Sequence, residues 1–191
     1  MVSCSYYRKK KRGTGMQEKR ITLNEEDNEL FVNEMLKGNE VIEDALANWK
    51  EDSEDSYAMA YVYKAILERD NQCGGLIISV KDDSILAGAD NIKYYNGSEQ
   101  ITLNKVKGLY DDHYLLVFTS RERFKECNET AGVVMFIREA FYLLAQVEGV
   151  DGIVLNIGKE EIILNKNYME LMNKLIQKDI DKKKGGSIQN D

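Results

Sequence analysis

The residues able to do chemistry are few and scattered. The chain has a single histidine, His113, and three cysteines, Cys4, Cys73 and Cys127. Cys127 with His113 as base is a conceivable nucleophile, because an adjacent imidazole stabilises a thiolate. No third residue at a recognisable spacing orients such a pair, so a stray thiol and a surface histidine are the simpler reading. Cys73 beside Gly74-Gly75 is read the same way. One histidine cannot complete a zincin helix or a Cys₂His₂ site. Asp111-Asp112-His113 and Glu122 with Glu126 are charged but fit no cation-binding loop, so no metal is expected. Neither G-x-x-x-x-G-K-[ST] nor G-x-G-x-x-G occurs, so no cofactor is expected and no residue is assigned as catalytic.

Polar residues that follow apolar runs are what remain. Thr119-Ser120 follow Tyr114–Phe118, Arg138-Glu139 follow Val133–Phe136, and Asn156 follows Ile153–Leu155. A helix start carrying two hydroxyls can hold an anion. Capping is the commoner use of such residues, and Asn tolerates the left-handed conformation of turns. In a sheet whose strands run parallel, residues just past the strand C-termini converge. Thr119, Ser120, Arg138, Glu139 and Asn156 are therefore the candidate ligand- or partner-binding residues.

The elements that must position them are legible from periodicity. Thr22 and Glu25 form a capping box, with Asn24 a competing cap. Phe31, Val32, Met35 and Leu36 then recur at helical spacing up to Gly38. A second helix carries Val41, Ile42, Ala45, Leu46 and Trp49. A third carries Met59, Val62, Tyr63, Ile66 and Leu67, and stops at Asn71–Gly75. The pattern then becomes extended. Strands are expected at Leu76–Val80, Ile85–Ala87, Tyr114–Phe118, Val133–Phe136, Ile153–Leu155 and Ile162–Leu164. Lys93–Tyr95, Asn96-Gly97 and Ile101–Leu103 read as a hairpin. Between the later strands come a short helix capped by Thr119 or Ser120, a largely buried helix from Arg138 to Val147, and a final helix with Tyr168, Leu171, Met172, Leu175 and Ile176 on one stripe.

This is the alternation of an α/β (α+β) domain, a mixed sheet with packed helices after an N-terminal helical segment. The 191 residues suit a single domain. Its expected limits are a basic arm at 1–21, the domain at 22–178 (helical over 22–70, sheet-containing over 74–178) and a tail at 179–191. No apolar run approaches the roughly 20 residues of a membrane span. Sparse cysteines without CxxC spacing argue against a disulfide framework and for a reducing, cytoplasmic setting.

Charge is uneven. The net charge is −7, yet residues 1–20 hold seven basic side chains and one acidic one, a balance of +6. Residues 25–55 hold twelve acidic side chains and two basic ones, an acidic helical face that could meet a basic partner. The run Arg8, Lys9, Lys10, Lys11, Arg12 could touch nucleic acid, touch an anionic membrane, or fold back on the acidic helices. A solvated terminus, or translation from Met16, is the plainer account.

Three stretches resemble the SseB family, in particular its N-terminal domain. They are Tyr61–Val80 (YVYKAILERDNQCGGLIISV), Gly108–Phe124 (GLYDDHYLLVFTSRERF), and Val133–Leu175, with its strand, buried helix, Gly152-Ile153-Val154-Leu155-Asn156 and last helix in the family order. The family commonly has Pro after Asn156, where this chain has Ile157. The resemblance implies a bacterial, cytoplasmic α/β module with no established catalytic residue and no cofactor. A binding or adaptor module with a protein partner is thus expected first. A metabolite- or anion-binding protein or enzyme using the strand ends is the alternative. Nucleic acid is not expected except through the arm.

Overall fold

The computed structural model describes residues 24–51, 56–81, 91–97, 100–108 and 110–185. Helix α1 (Glu25–Leu36) begins at Asn24, which is extended and whose Oδ1 accepts from the Asp27 N–H at 2.8 Å. Acidic Glu25, Glu26 and Asp27 occupy its first turn, where the helix dipole favours negative charge. Thr22, the other cap candidate, lies outside the described residues, as does the strand expected at Ile85–Ala87. Gly38, at φ +87°, turns the chain between α1 and α2 (Glu40–Glu51). Helix α3 (Ser56–Asn71) leads into the sheet.

Among the described residues seven strands follow: β1 (Gly75–Ser79), β2 (Ile92–Tyr94), β3 (Lys105–Lys107), β4 (His113–Phe118), β5 (Gly132–Phe136), β6 (Gly152–Leu155) and β7 (Ile162–Asn165). Their order is β2-β5-β1-β4-β6-β7, with β3 paired to the first half of β4. The sheet is mixed, as expected. β1 is antiparallel to both β4 and β5, and β6 is parallel to β4. So β4, β5 and β6 all point the same way, and their C-terminal ends share one rim. Helices α4 (Arg121–Glu126), α5 (Ile137–Ala145) and α6 (Lys166–Gly185) complete the chain. Helix α6 runs through residues 179–185, which periodicity alone leaves in the tail.

Both faces of the central strands are covered. On one side Leu76, Ile78, Leu115, Val117, Val133 and Met135 pack with residues of α2, α3, α5 and α6. The alternate residues Ile77, Leu116, Phe118 and Val134 pack on the other side with Val32, Met35 and Leu36 of α1 and Phe124 of α4. This alternation is the pleat itself, and it explains the unbroken apolar runs of buried strands.

Three expectations change. The hairpin across Asn96-Gly97 is not formed. β2 pairs in parallel with β5, while Leu103 bridges to Val80 at the end of β1. Tyr94 packs edge-on against Phe31 and Phe136, and this aromatic packing gives β2 a different partner from the one the turn signal implies. Helix α5 exposes Tyr142 and Leu143, so it is less buried than its composition implies. The acidic helices do not form one face, because α1 and α2 pack on opposite sides of the sheet.

Candidate functional site

The rim is where α1 and α2 wrap around the sheet from one face to the other. The turn between them brings Asn39 onto the strand ends. Its Nδ2 donates to the carbonyls of Gly75 and Thr119, each at 2.8 Å, and its Oδ1 accepts from Arg69 Nε at 3.0 Å. Asn39 thus closes the gap where antiparallel β1 and β4 leave terminal carbonyls unpaired, and a buried carbonyl needs such a partner. Arg69 also donates to Met35 O at 3.1 Å and to Gln72 Oε1 at 2.8 Å. Burial pushes the pKa of its guanidinium down, partly opposed by Glu40.

Thr119 and Asn156 stand beside this plug. Asn156 Oδ1 accepts from the Thr119 N–H at 3.0 Å, and Asn156 Nδ2 donates to Thr119 Oγ1 at 2.9 Å. The Thr119 hydroxyl in turn donates to Glu43 Oε1 at 2.6 Å. Thr119 is 0% and Asn156 1% exposed, so neither presents a polar atom to a ligand. Ser120 is the cap of α4, its Oγ accepting from the Arg123 N–H at 3.3 Å. Arg138 grips Asp70 through Nε at 3.0 Å and a second nitrogen at 2.7 Å, a fork that ties α5 to the end of α3. Glu139 sits half-buried in the first turn of α5. The five candidates therefore share one end of the sheet. Arg138 is two strand spacings, about 10 Å, from Thr119.

What this end offers to solvent is an open groove of about 550 Å³ between the α1–α2 turn and α4. Leu36, Lys37, Asn39, Glu40, Glu43, Ser120, Arg121, Glu122 and Arg123 line it, together with Asn33. Of the five candidates only Ser120 reaches it. Its cations are already engaged. Arg121 meets Glu29 at 2.9 Å, Lys37 lies 3.9 Å from Glu34, and Arg123 meets Glu43 at 3.4 Å, Glu126 at 3.1 Å and Glu160. Sequence reasoning missed Asn39, Arg69, Arg121 and Arg123. The helix break at Gly38-Asn39 was the available signal, since a polar residue just past a helix end is free to turn inward.

The other chemical candidates are not assembled. His113 opens β4, while the Cys127 thiol donates to Ile157 O at 2.9 Å beside the far ends of β4 and β6. Burial first, then Glu129, Glu126 and Glu161, pushes the Cys127 pKa up, the opposite of activation. Cys127 is free; Cys73 is disulfide-bonded, against expectation, and its partner lies outside the described residues. Among the described residues no group of His, Cys, Asp or Glu is placed to hold a metal ion, and no helix is long and apolar enough to cross a membrane.

Compared with known families, residues 42–168 match the model described as SseB protein N-terminal domain. No curated protein and no solved structure matches the chain. The matched stretch starts inside α2, so α1 and the turn carrying Asn39 lie outside it.

Proposed function

The chain belongs to the SseB protein N-terminal domain family, and on that premise we propose that it is a non-catalytic binding module that engages a protein partner across the rim groove. The observation that carries this reading is the state of the rim's polar groups. Thr119, Asn156 and Asn39 are buried and paired with one another and with the backbone. A small-molecule pocket characteristically offers a few convergent, unpaired polar groups inside an enclosed cavity. Here the accessible space is an open groove with charged walls, a shape that suits an extended or helical protein segment. The setting proposed is bacterial and cytoplasmic. The free Cys127 agrees with a reducing compartment, whereas the Cys73 disulfide speaks against it; counting thiols in freshly lysed cells decides between them.

The test uses exposed groove residues whose change leaves the fold alone. Lys37→Glu and Glu122→Lys should each lose a captured partner while melting within a degree or two of the parent. A partner retained by both variants, and by their combination, sinks the groove reading. Tight, saturable binding of a metabolite or inorganic anion, abolished by Arg121→Ala with the fold intact, would favour the small-ligand alternative.

A further inference from the structure

The sheet ends on one side at β7, and among the described residues nothing pairs with the outer edge of that strand. The backbone bonds tell which groups that edge presents. Lys166 N–H donates to Asp151 O at 3.0 Å, and Asn156 N–H donates to Val117 O at 2.9 Å. Backbone groups of successive strand residues turn to opposite sides. Even-numbered residues of β6 therefore bond to β4, while Ile153 and Leu155 bond to β7, opposite Leu164 and Ile162. Ile162 and Leu164 are thus committed inward. The N–H and C=O of Ile163 and Asn165 point outward, and Glu161, one step before the strand, continues the same phase. Free edges are commonly blunted by charged residues or Pro. The four residues of β7, Ile-Ile-Leu-Asn, include neither, and Ile163 is 50% exposed. We propose that β7 pairs antiparallel with β7 of a second copy, joining two sheets across a two-fold axis at Ile163.

A second copy is the occupant because the edge is complementary to itself. A two-fold pairing must set outward-facing residues opposite outward-facing ones. With the axis on Ile163, Ile163 meets Ile163 and Glu161 meets Asn165, and all of these face outward. An axis between Ile163 and Leu164 sets outward groups against inward ones. The same register places two exposed isoleucines directly opposite each other, a favourable cross-strand pair. It also lays Glu161, at the entry to each strand, beside the Lys166 that opens α6 in the other copy. Neither has an ion pair among the described residues. Glu161 accepts from the Gly158 N–H at 2.8 Å, and Lys166 Nζ donates to Val147 O at 3.1 Å. Such a seam uses the same edge of both copies, so it closes at two. It is short, so the dimer is weak and depends on concentration.

This pairing does not rest on the groove reading, since no residue of β7 lines the groove. The experiment is sedimentation velocity of the full chain from low to high micromolar concentration. The dimer fraction should rise across that range. Ile163→Lys should abolish the dimer at unchanged melting temperature, because that side chain is already half in water. Ile163→Pro should do the same, because the N–H it removes is one that β6 does not use. Should Ile163→Pro melt early, Ile163→Lys decides alone. Ile163→Cys should, on mild oxidation, cross-link to itself between copies, as read by peptide mapping. Directly opposite residues of a hydrogen-bonded pair have Cα atoms about 5.5 Å apart, within disulfide range. Lys37→Glu and Glu122→Lys should leave the dimer intact, so loss of the groove reading and loss of this one are distinguishable. A chain monomeric throughout overturns the proposal, as does a dimer that survives Ile163→Lys. Capture of an extended segment of another protein by a monomeric chain, lost in Ile163→Lys, assigns the edge to that partner and likewise overturns self-pairing.

Discussion

Arg69, 4% exposed, meets Asn39 through Nε at 3.0 Å and makes no ion pair among the described residues. Its hydrogen-bond acceptors are all neutral, contributed by the α1–α2 turn, the end of α1 and Gln72, while the nearby charge of Glu40 partly offsets the cost of burial. The pair locks the N-terminal helices to the rim, because Asn39 also holds the carbonyls of Gly75 and Thr119. Gly74 has no room for a side chain here, since a Cβ would lie 3.1 Å from an Arg69 terminal nitrogen and 2.9 Å from its carbonyl oxygen.

Asn39→Ala should accordingly cost about 2–4 kcal/mol, the desolvation of two carbonyls and part of a guanidinium left without partners. Arg69→Lys should cost a similar amount, because an ammonium lacks the planar fork that reaches three acceptors. Urea denaturation measures both. A loss below about 0.5 kcal/mol for Asn39→Ala would mean water replaces the side chain without penalty.

Asn156 combines a backbone and a side-chain demand. It sits at φ +55°, and its amide holds Thr119 from both ends. Asn156→Gly should lose only the hydrogen bonds, about 1–3 kcal/mol. Asn156→Ala should lose about 1 kcal/mol more, since alanine resists the left-handed region that glycine accepts. Equal melting of the two variants would show that the turn relaxes to negative φ.

Tyr63 carries a buried hydroxyl that has no hydrogen-bond partner among the described residues, beside the ring of Tyr168 at 6.3 Å. Burial first, then Tyr168, pushes its pKa from 10.0 up to about 12. The folded chain holds this proton more tightly than the unfolded one. The resulting stability is fully present below pH 10 and declines as the pH rises toward about 12. Tyr63→Phe should flatten that alkaline decline and, at neutral pH, stabilise the protein by about 1 kcal/mol by removing the unpaired hydroxyl. A destabilised Phe variant would reveal a partner for the hydroxyl in solution.

Cys127 should alkylate slowly. With its thiol donated to Ile157 O and its pKa raised, native protein should react with iodoacetamide well below the rate of the unfolded chain, and the pH profile should shift to higher pH. Reaction at the unfolded rate at neutral pH would contradict a half-buried thiol held by Ile157 O.

Much of the architecture was written locally. Asn24 and Ser120 are caps because their oxygens reach N–H groups three residues on, and such contacts depend only on neighbouring sequence. The apolar runs Leu76–Ile78, Leu115–Phe118 and Val133–Met135 announced strands buried on both faces, and the family resemblance followed from their order. Pairing was another matter. Asn96-Gly97 signals a tight turn, yet β2 pairs with β5, more than thirty residues later in the chain, because Tyr94 packs against Phe31 and Phe136. The five candidate residues were brought to one rim by the common direction of β4, β5 and β6. What they do there depended on Asn39, 80 residues before Thr119, and on Glu43, 76 residues before it. Composition alone made residues 25–55 one acidic region. The tertiary structure placed α1 and α2 on opposite faces of the sheet, because Val32 and Met35 fill one core and Ile42 and Leu46 the other. Local sequence sets caps, periods and apolar runs through contacts within a turn or a strand. Which buried polar group meets which is decided only when distant segments exclude water together.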